Sequence, residues 1–454
     1  MAKAVERATK ARRAQLPRRR LDTTRSSGPL WRTYVRALGP GLVTGASDDD
    51  PSGIATYAQA GAKFGFGMLW AALLTLPLMA GVQEICDRTA LATGRDLGEL
   101  ASRRFGAAGR IVIGVLLSAL VVANTLNIAA DLVAVGAGMH LLHAGPTGLW
   151  AATAGLLVTA LVMSGSFHLI ARVFKLLCLA LLAYLGVLFT VRIDWWSVAT
   201  HTVVPHLQIS SDYAALLVAV LGTTISPYLF FWQSLHRVEE LRDEPEGGSR
   251  PVSLARRGPK SAQAKLAASR FDVFTGMTLS NAVMFSIIIG TAVTLGAKGQ
   301  HDIATPDQAA RALAPIAGRL ASLTFSLGFI GAGMLAVPVL AGSASGGIAG
   351  LLGKAAGFSR TIKQAPLFYG LVLLGTAGGT VMSLVGLDPI RLLVLVAVIN
   401  GVAAAPFLLV VMLIADDRRI MRDYVNGRAA RVLGWTAAAL MLGAAVAMFA
   451  TGGF

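Results

Sequence analysis

The sequence predicts an all-α protein that crosses a membrane many times. Only 14% of its 454 residues are charged and 55% are hydrophobic, whereas a soluble domain is nearer a quarter charged. Apolar runs of about 20 residues, the length that a helix needs to cross a bilayer, recur along the chain. The sequence has neither the G-x-x-x-x-G-K-[ST] motif of nucleotide hydrolases nor the H-E-x-x-H motif of metalloproteases. We therefore expect a polytopic membrane protein that is not an enzyme.

Eleven apolar runs are candidates for the spanning helices. They lie near residues 37–62, 66–92, 111–138, 148–166, 172–192, 212–235, 273–296, 319–350, 366–386, 390–415 and 431–449. Residues 1–30 are rich in arginine and lack a long apolar core, so we expect a disordered basic tail and not a signal peptide. Cys86 and Cys178 both fall inside apolar runs, which excludes a disulfide framework.

Basic residues are distributed unevenly between the connections. If the N-terminus is cytoplasmic, the even-numbered connections are cytoplasmic too, and these are the ones rich in arginine and lysine. They contain Arg95, Arg103, Arg104, Arg110, Arg172, Lys175, the basic loop 237–270, Lys354, Arg360, Lys363, Arg418, Arg419, Arg422 and Arg428. The formal net charge of +16 is therefore explained by the basic cytoplasmic connections, and it does not indicate a nucleic-acid partner. We expect a multi-pass protein of the inner (cytoplasmic) membrane with a cytoplasmic N-terminus.

The first span has acidic residues and helix breakers at its centre. It reads GPGLVTGASDDDPSGIATY, so Asp48, Asp49 and Asp50 are followed directly by Pro51 and, two residues later, by Gly53. Proline removes a backbone donor and glycine weakens a helix, so the chain should unwind here. Carboxylates at this depth are costly in contact with lipid, and they must line a wet cavity or bind a cation.

The sixth span is interrupted in the corresponding place. Its sequence, YAALLVAVLGTTISPYLFFWQSL, has Gly222 and Pro227 near the centre and no charge there. Interrupted helices in corresponding positions of two halves indicate a secondary transporter built from inverted repeats. The expected boundaries are 31–192 and 211–415 for the repeats, 236–271 for a cytoplasmic loop and 428–450 for an added helix. For the sixth span alone, a proline kink without a transport role stays an open alternative. In the first span, such a kink does not account for three buried acids.

These motifs resemble those of the NRAMP family of divalent-metal transporters. The residues around Asp50-Pro51 resemble the family's first-helix Asp-Pro-Gly-Asn, and GTTISPYLFFWQSL resembles its sixth-helix G-A-[TV]-[IV]-M-P-H-N-L-x-L-H-S. AQAGAKFGFGMLW, ATGRDLGEL and ADDRRIMRDYVNGRAARVLGW also match its pattern. The resemblance covers about residues 37–450. It implies a LeuT-like fold with a 5+5 inverted repeat and eleven transmembrane helices, which transports divalent metal.

The resemblance also implies a metal site with altered ligands. Family members hold a transition metal with the first-helix Asp and Asn, the sixth-helix Met and backbone carbonyls. In this sequence Asp50 matches the Asp, but Gly53 stands in place of the Asn and Ser226 in place of the Met. Thioethers favour transition metals, whereas an all-oxygen site enlarged by the loss of Asn suits partly hydrated Mg²⁺. The NRAMP-related magnesium transporters have such an altered site. The candidate ligands are Asp50, Asp49, Asp48, Ser226, Gly53 and the carbonyls around Ser47 and Thr224.

The family's proton-transfer residues are also changed. Its third-helix Asp-Leu-Ala-Glu reads Asp131-Leu132-Val133-Ala134, and its two sixth-helix histidines are Tyr228 and Gln233. Neither Tyr nor Gln titrates near neutral pH, so transport should be weakly coupled or uncoupled to protons. Asp131 is either a residual proton acceptor or a buried acid held by an arginine or a polar neighbour such as Asn127.

Two further polar groups lie within the spans. Asn281, in the seventh span, either joins two helices by a hydrogen bond or serves as a metal ligand. Glu84 and Asp87, in the second span, either line an inner vestibule or pair locally with Arg88.

Together, these patterns predict the import of divalent cations by alternating access, with Mg²⁺ favoured and Mn²⁺ possible. Two alternatives stay open: a proton-coupled importer of Mn²⁺ or Fe²⁺, and a sodium-coupled transporter of an organic solute on the same fold. The expected partners are the transported ion and the lipid bilayer. We expect no resident cofactor, no nucleic acid and no obligate protein partner.

Overall fold

The described part of the protein is helical throughout. The computed structural model describes residues 40–164, 185–186, 188–189, 192–244, 251–303, 306–310, 321–386 and 388–452. Within these ranges it contains α-helices and short 3₁₀ turns and no β-strand, which confirms the expected all-α class. The basic tail, and nearly all of the fifth expected span with Arg172 and Lys175, lie outside the described residues.

The helices coincide with the expected spans wherever both can be compared. In chain order they are α1 (Pro40–Asp48), α2 (Pro51–Phe64), α3 (Leu69–Thr93), α4 (Leu97–Arg104), α5 (Ala107–Leu141), α6 (Thr147–Met163), α7 (Trp195–Val203), α8 (Ser211–Thr224), α9 (Pro227–Asp243), α10 (Pro259–Thr294), α11 (Pro306–Ala310), α12 (Ala321–Leu351), α13 (Pro366–Met382), α14 (Pro389–Ala415), α15 (Arg418–Met421) and α16 (Arg428–Ala450). Seven helical segments of the described chain are long and apolar enough to cross a membrane, with α2–α3 and α8–α9 each taken as one. The total of eleven spans stays a prediction.

Both interrupted spans are broken directly before their prolines. α1 ends at Asp48 and α2 begins at Pro51, while α8 ends at Thr224 and α9 begins at Pro227. Proline is well suited to the first position of a helix because the N–H that it lacks would have no partner there. Each span therefore consists of two half-helices joined by a two-residue unwound segment.

Gly222 was expected to belong to the sixth-span break, but it is a packing residue inside α8. A Cβ at this position would overlap the backbone of Ala397 and Gly401 on α14. Gly45 has the same role on α1, where a Cβ would overlap the backbone of Gly276 on α10. Each half-helix that precedes a break therefore lies directly against a long helix, which fixes the position of its C-terminal end.

The loop expected over 236–271 is much shorter in the structure, because α9 and α10 extend into it from both ends. A 3₁₀ turn, Leu254–Arg256, lies between them. Leu241, Leu254 and Ala262 form a small buried apolar cluster with Leu91 of α3. The described part of this connection is thus folded against the helical bundle.

A buried network of charges ties α1 to three other helices. Arg237 on α9 pairs with Asp87 on α3 at 2.5 Å and with Asp272 on α10 at 3.2 Å, and all three side chains are at most 3% exposed. Asp272 also accepts a hydrogen bond of 2.7 Å from the main-chain N–H of Gly41, in the first turn of α1. A carboxylate in this position satisfies a free donor and interacts favourably with the helix dipole.

The network separates two acids that the sequence had grouped together. Arg88 pairs with Glu84 at 3.1 Å, as expected, but Asp87 pairs with Arg237 instead. Gln233, which occupies one of the family's histidine positions, donates to Asp87 at 2.7 Å and accepts a hydrogen bond from Thr44 on α1. Its amide is therefore part of the contact between α1, α3 and α9.

Removal of Arg237 should destabilise the protein strongly. Arg237→Met removes the cation that pairs with the buried Asp87, and we expect the free energy of unfolding to fall by about 3–5 kcal/mol. The matched control is Arg431→Met, because Arg431 forms an exposed pair with Asp416 at 3.3 Å whose loss should cost about 0–1 kcal/mol. Unfolding of the purified proteins in detergent measures both, and equal losses would contradict the role given to the network.

Candidate metal centre

Asp50 caps α2 and also contacts the second break. Its Oδ1 accepts hydrogen bonds from the main-chain N–H of Gly53 at 2.9 Å and from the Ser52 hydroxyl at 2.5 Å. Aspartate is a favoured N-cap because its carboxylate satisfies free backbone donors and lies at the positive end of the helix dipole. Its Oδ2 accepts a hydrogen bond of 3.2 Å from the hydroxyl of Tyr228 on α9. This carboxylate is therefore held in place by both interrupted spans.

Asp48 and Asp49 share a single hydroxyl group. Ser280 Oγ, on α10, lies 2.6 Å from Asp48 Oδ2 and 3.1 Å from Asp49 Oδ1. A hydroxyl has one proton to donate, so the two buried carboxylates compete for it and repel each other. Asp48 Oδ1 is buried and has no hydrogen-bond partner among the described residues. The pair therefore favours a cation or a proton between its oxygens. Sequence reasoning missed Ser280, although a polar Ser-Asn pair in an apolar span was a usable signal.

The hydroxyls at the ends of α1 and α8 donate to their own helices. Ser226 Oγ lies 2.7 Å from the carbonyl oxygen of Gly222 and 2.9 Å from that of Thr223. The hydroxyls of Thr224 and Ser47 donate to carbonyls one turn earlier, at 3.0 and 2.8 Å. Each hydroxyl has thus used its proton, and its oxygen lone pairs stay available as acceptors for a cation.

The extra room expected beside Gly53 is largely taken by Tyr57. A Cβ at Gly53 would lie 3.3 Å from the ring atom Cε2 of Tyr57, whose side chain is fully buried. The Tyr57 hydroxyl lies 3.0 Å from Thr223 Oγ1, so this ring also connects the two breaks. A phenol ring therefore occupies part of the space next to the glycine, and the expected enlargement of the site stays a prediction.

Asp131, on α5, is buried without a hydrogen-bond partner. Both of its carboxylate oxygens lack one among the described residues, as do both amide atoms of Asn127 one turn earlier. Within the same residues no arginine lies within ion-pair distance of it. Among the described residues, the alternative in which an arginine or Asn127 holds this acid therefore finds no support. The charge of Asp50 acts on Asp131, which places this acid in the field of the first break.

The remaining candidate, Asn281, joins two helices. Its amide donates to the carbonyl oxygen of Ala72 at 3.0 Å and to Thr75 Oγ1 at 3.3 Å, both on α3. Across the described chain, no three acidic, histidine or cysteine side chains are gathered as a ready-made metal cluster. The three acids of the first break instead form two groups, with Asp50 facing Tyr228 and the other two facing Ser280.

Known proteins share both the sequence motifs and the arrangement of helices. A family model described as natural resistance-associated macrophage protein-like (Nramp) matches residues 41–451. The chain belongs to the Nramp family. The protein named divalent metal cation transporter MntH from Ralstonia nicotianae is 27% identical over 427 residues, which cover 90% of this chain and 89% of that protein. The MntH of Klebsiella pneumoniae is 26% identical over 422 residues, with 92% and 94% covered.

A solved structure supports the fold. The manganese transporter of Eremococcus coleocola, in complex with an aromatic bis-isothiourea compound, matches with a TM-score of 0.71 at 16% identity, covering 93% of this chain and 87% of that one. This likeness confirms the LeuT-like fold that the resemblance of the sequence motifs implied. As an Nramp protein, the chain is a multi-pass membrane protein.

Removal of the Ser280 hydroxyl tests the repulsion between Asp48 and Asp49. Ser280→Ala leaves both carboxylates without their donor, and we expect the free energy of unfolding of the metal-free protein to fall by about 1–3 kcal/mol. Because a cation offsets the repulsion, the loss should shrink at saturating Mg²⁺. Ser286→Ala is the control, since Ser286 lies on the same helix and donates only to a carbonyl of its own helix. A loss that does not change with Mg²⁺ would contradict this interpretation.

Proposed function

We propose that this protein is a secondary transporter that imports divalent metal cations across the cytoplasmic membrane by alternating access, with Mg²⁺ as the favoured substrate. One observation carries the proposal. In the described residues, every side chain that hydrogen-bonds to the acids of the first break does so through a hydroxyl: Ser52, Tyr228 and Ser280. Carboxylate and hydroxyl oxygens are the ligands that hard cations such as Mg²⁺ prefer.

Asp50 is the proposed principal ligand, and Asp49 and Asp48 add negative charge beside it. The Ser226 hydroxyl and the carbonyls around Ser47 and Thr224 would supply neutral oxygens from both breaks. These groups are spread out and not gathered around one point, so retained waters would complete the coordination. Mg²⁺ is commonly held in this way, by one or two carboxylates and several waters. Mn²⁺ accepts the same oxygens and is the proposed second substrate.

Coupling to protons is proposed to be weak or absent. Tyr228 and Gln233 stand where other family members have histidines, and neither titrates near neutral pH. The Gln233 amide is moreover committed to Asp87 and Thr44. Asp131 is the proposed residual acceptor, since both of its oxygens lack partners in the described part of the chain.

A proton-coupled importer of Mn²⁺ or Fe²⁺ is the second candidate. It is favoured by the likeness to the Eremococcus coleocola protein, which is named a manganese transporter. A sodium-coupled carrier of an organic solute fits less well. Such a carrier presents a half-helix N-terminus to a substrate anion, whereas the first break here carries three acids.

Ion flux into proteoliposomes separates these candidates. We expect Mg²⁺ to enter vesicles under an inside-negative potential without acidification of the lumen, as reported by a Mg²⁺ indicator and a pH dye inside them. Uptake of Mn²⁺ alone, accompanied by acidification, would contradict the magnesium assignment and support the second candidate.

Asp50→Asn should reduce uptake to the level of protein-free vesicles. Asparagine is as good an N-cap as aspartate, so the variant keeps the cap of α2 and removes only the charge. Asp388→Asn is the matched control, because Asp388 caps α14 by accepting from the N–H groups of Ile390 and Arg391. Uptake by this control should be unchanged. Uptake retained by Asp50→Asn would remove Asp50 from the proposed site.

Ser226→Met should shift selectivity towards transition metals. A thioether at this position adds a soft ligand, so the ratio of Mn²⁺ or Cd²⁺ uptake to Mg²⁺ uptake should rise. Ser226→Leu is the control because it adds similar bulk without sulfur. The soft-ligand argument fails if both variants change the ratio equally, or if neither does.

A further inference from the structure

A cavity lies among the connections that the sequence predicts to be cytoplasmic. It has a volume of about 670 Å³ and lies between the end of α3, α4, the end of α9, the 3₁₀ turn before α10, the α12–α13 connection and α15. Elements from both repeats thus contribute to its wall. Seven of the lining residues are arginines, and one, Glu99, is acidic. The cavity is therefore strongly positive.

Most of these arginines have no acidic partner in the described part of the chain. Arg95 and Arg103 both pair with the same oxygen of Glu99, at 2.8 and 2.9 Å. The other five have no carboxylate within ion-pair distance among the described residues. Arginines that only determine membrane topology need not lie close together, whereas these line one concave space. Their combined positive charge favours an anion inside the cavity.

Two of these arginines have buried donors without acceptors. The Nε atoms of Arg242 and Arg360 are buried and lack a hydrogen-bond partner in the described part of the chain. Arg242 donates one hydrogen bond, of 3.3 Å, to the carbonyl oxygen of Ala356, and the charge of Arg360 acts unfavourably on it. Asp96, Glu99 and Glu239 attract Arg242 only from beyond ion-pair distance. Buried donors without acceptors are costly, and an anion between the two guanidinium groups would remove that cost.

The backbone at the rim of the cavity is strained. Arg422, which lines the cavity, has a φ of 52°, a left-handed conformation that is uncommon for residues other than glycine. Strained residues of this kind cluster at binding sites, where the surrounding structure holds them. The surrounding structure therefore holds Arg422 at the edge of the cavity in a costly conformation.

We propose that this cavity binds a molecule that carries two or more phosphate groups. The planar guanidinium group forms paired hydrogen bonds with phosphate oxygens, and several arginines require more than one phosphate to balance their charge. The volume is in the range of pockets for small ligands of nucleotide size. A soluble nucleotide and the headgroup of a diphosphate lipid such as cardiolipin share this chemistry. Because both repeats line the cavity, the bound anion would join them on this face.

Binding to the purified full-length protein tests the proposal. The protein is placed in nanodiscs of phosphatidylcholine and titrated calorimetrically with ATP and with inorganic pyrophosphate, and we expect saturable binding at one site. Arg242→Gln with Arg360→Gln should weaken it by at least about tenfold, since each lost charge-assisted hydrogen bond contributes 1.5–3 kcal/mol. A second variant combines Arg256→Gln with Arg419→Gln, at two exposed positions that line the cavity. It should also weaken binding, and it keeps the test valid if the first variant does not fold.

A charge-matched control distinguishes a site from general attraction. Arg110→Gln with Arg428→Gln removes the same two charges at exposed positions outside the cavity, and its binding should stay within about twofold of the unaltered protein. Nanodiscs that contain cardiolipin identify the source of the phosphates. If the ligand is a lipid, native mass spectra should show cardiolipin bound to the protein, and cardiolipin should prevent the binding of ATP. If the ligand is soluble, ATP should bind equally well in nanodiscs with and without cardiolipin. The proposal would be overturned if ATP, pyrophosphate and cardiolipin all failed to bind saturably. It would also be overturned if the control variant lost as much binding as the variants of the cavity.

Discussion

A helix that is interrupted inside a bilayer must satisfy its free backbone groups without water. In this protein, side chains at each break meet that requirement. Asp50 supplies an acceptor for the N–H groups at the start of α2, and Ser226 supplies a donor for carbonyls at the end of α8. The same atoms carry the lone pairs and the charge that a cation would use. Stability of the broken helices and affinity for an ion therefore depend on one small set of oxygens.

The half-helix α1 is held at both ends by different means. At its start, Asp272 accepts from Gly41 and belongs to the buried network around Arg237. Along its length, Gly45 allows its backbone to lie directly on α10. At the C-terminal end of α1, Asp48 accepts a hydrogen bond from Ser280, which also lies on α10. A movement of α1 away from α10 would therefore break the hydrogen bond between Gly41 and Asp272 and the carboxylate contacts with Ser280 together. This couples the ion site to the packing at the other end of α1.

The sequence alone was sufficient for the helical class and the positions of the two breaks, because each depends on local chemistry such as proline, glycine and apolar length. The LeuT-like fold followed from the resemblance of these motifs to those of the NRAMP family. It was insufficient for contacts between distant residues. Asp87 lies next to Arg88 in the chain, and only the packing of α9 reveals that Arg237 is its partner. Gly222 was taken for a helix breaker because its contact with α14 has no local signal. Tyr57 was missed for the same reason, since aromatic rings occur on many membrane helices. Ser280 was missed although it forms a polar pair with Asn281 in an apolar span, because the pair does not reveal which carboxylates the hydroxyl contacts.

The acids of the first break also have an electrical consequence. No arginine or lysine lies within ion-pair distance of Asp48, Asp49 or Asp50 among the described residues, so the empty site carries whatever negative charge its protons do not neutralise. If two of the three carboxyl groups are ionised, a bound divalent cation brings that charge to zero. The membrane voltage, worth about 2.3 kcal/mol per elementary charge for each 100 mV, then acts mainly on the empty protein as it reorients. In the proposed alternating-access cycle, an inside-negative potential would drive the return of the empty protein to its outward-facing state and so favour accumulation of the cation inside.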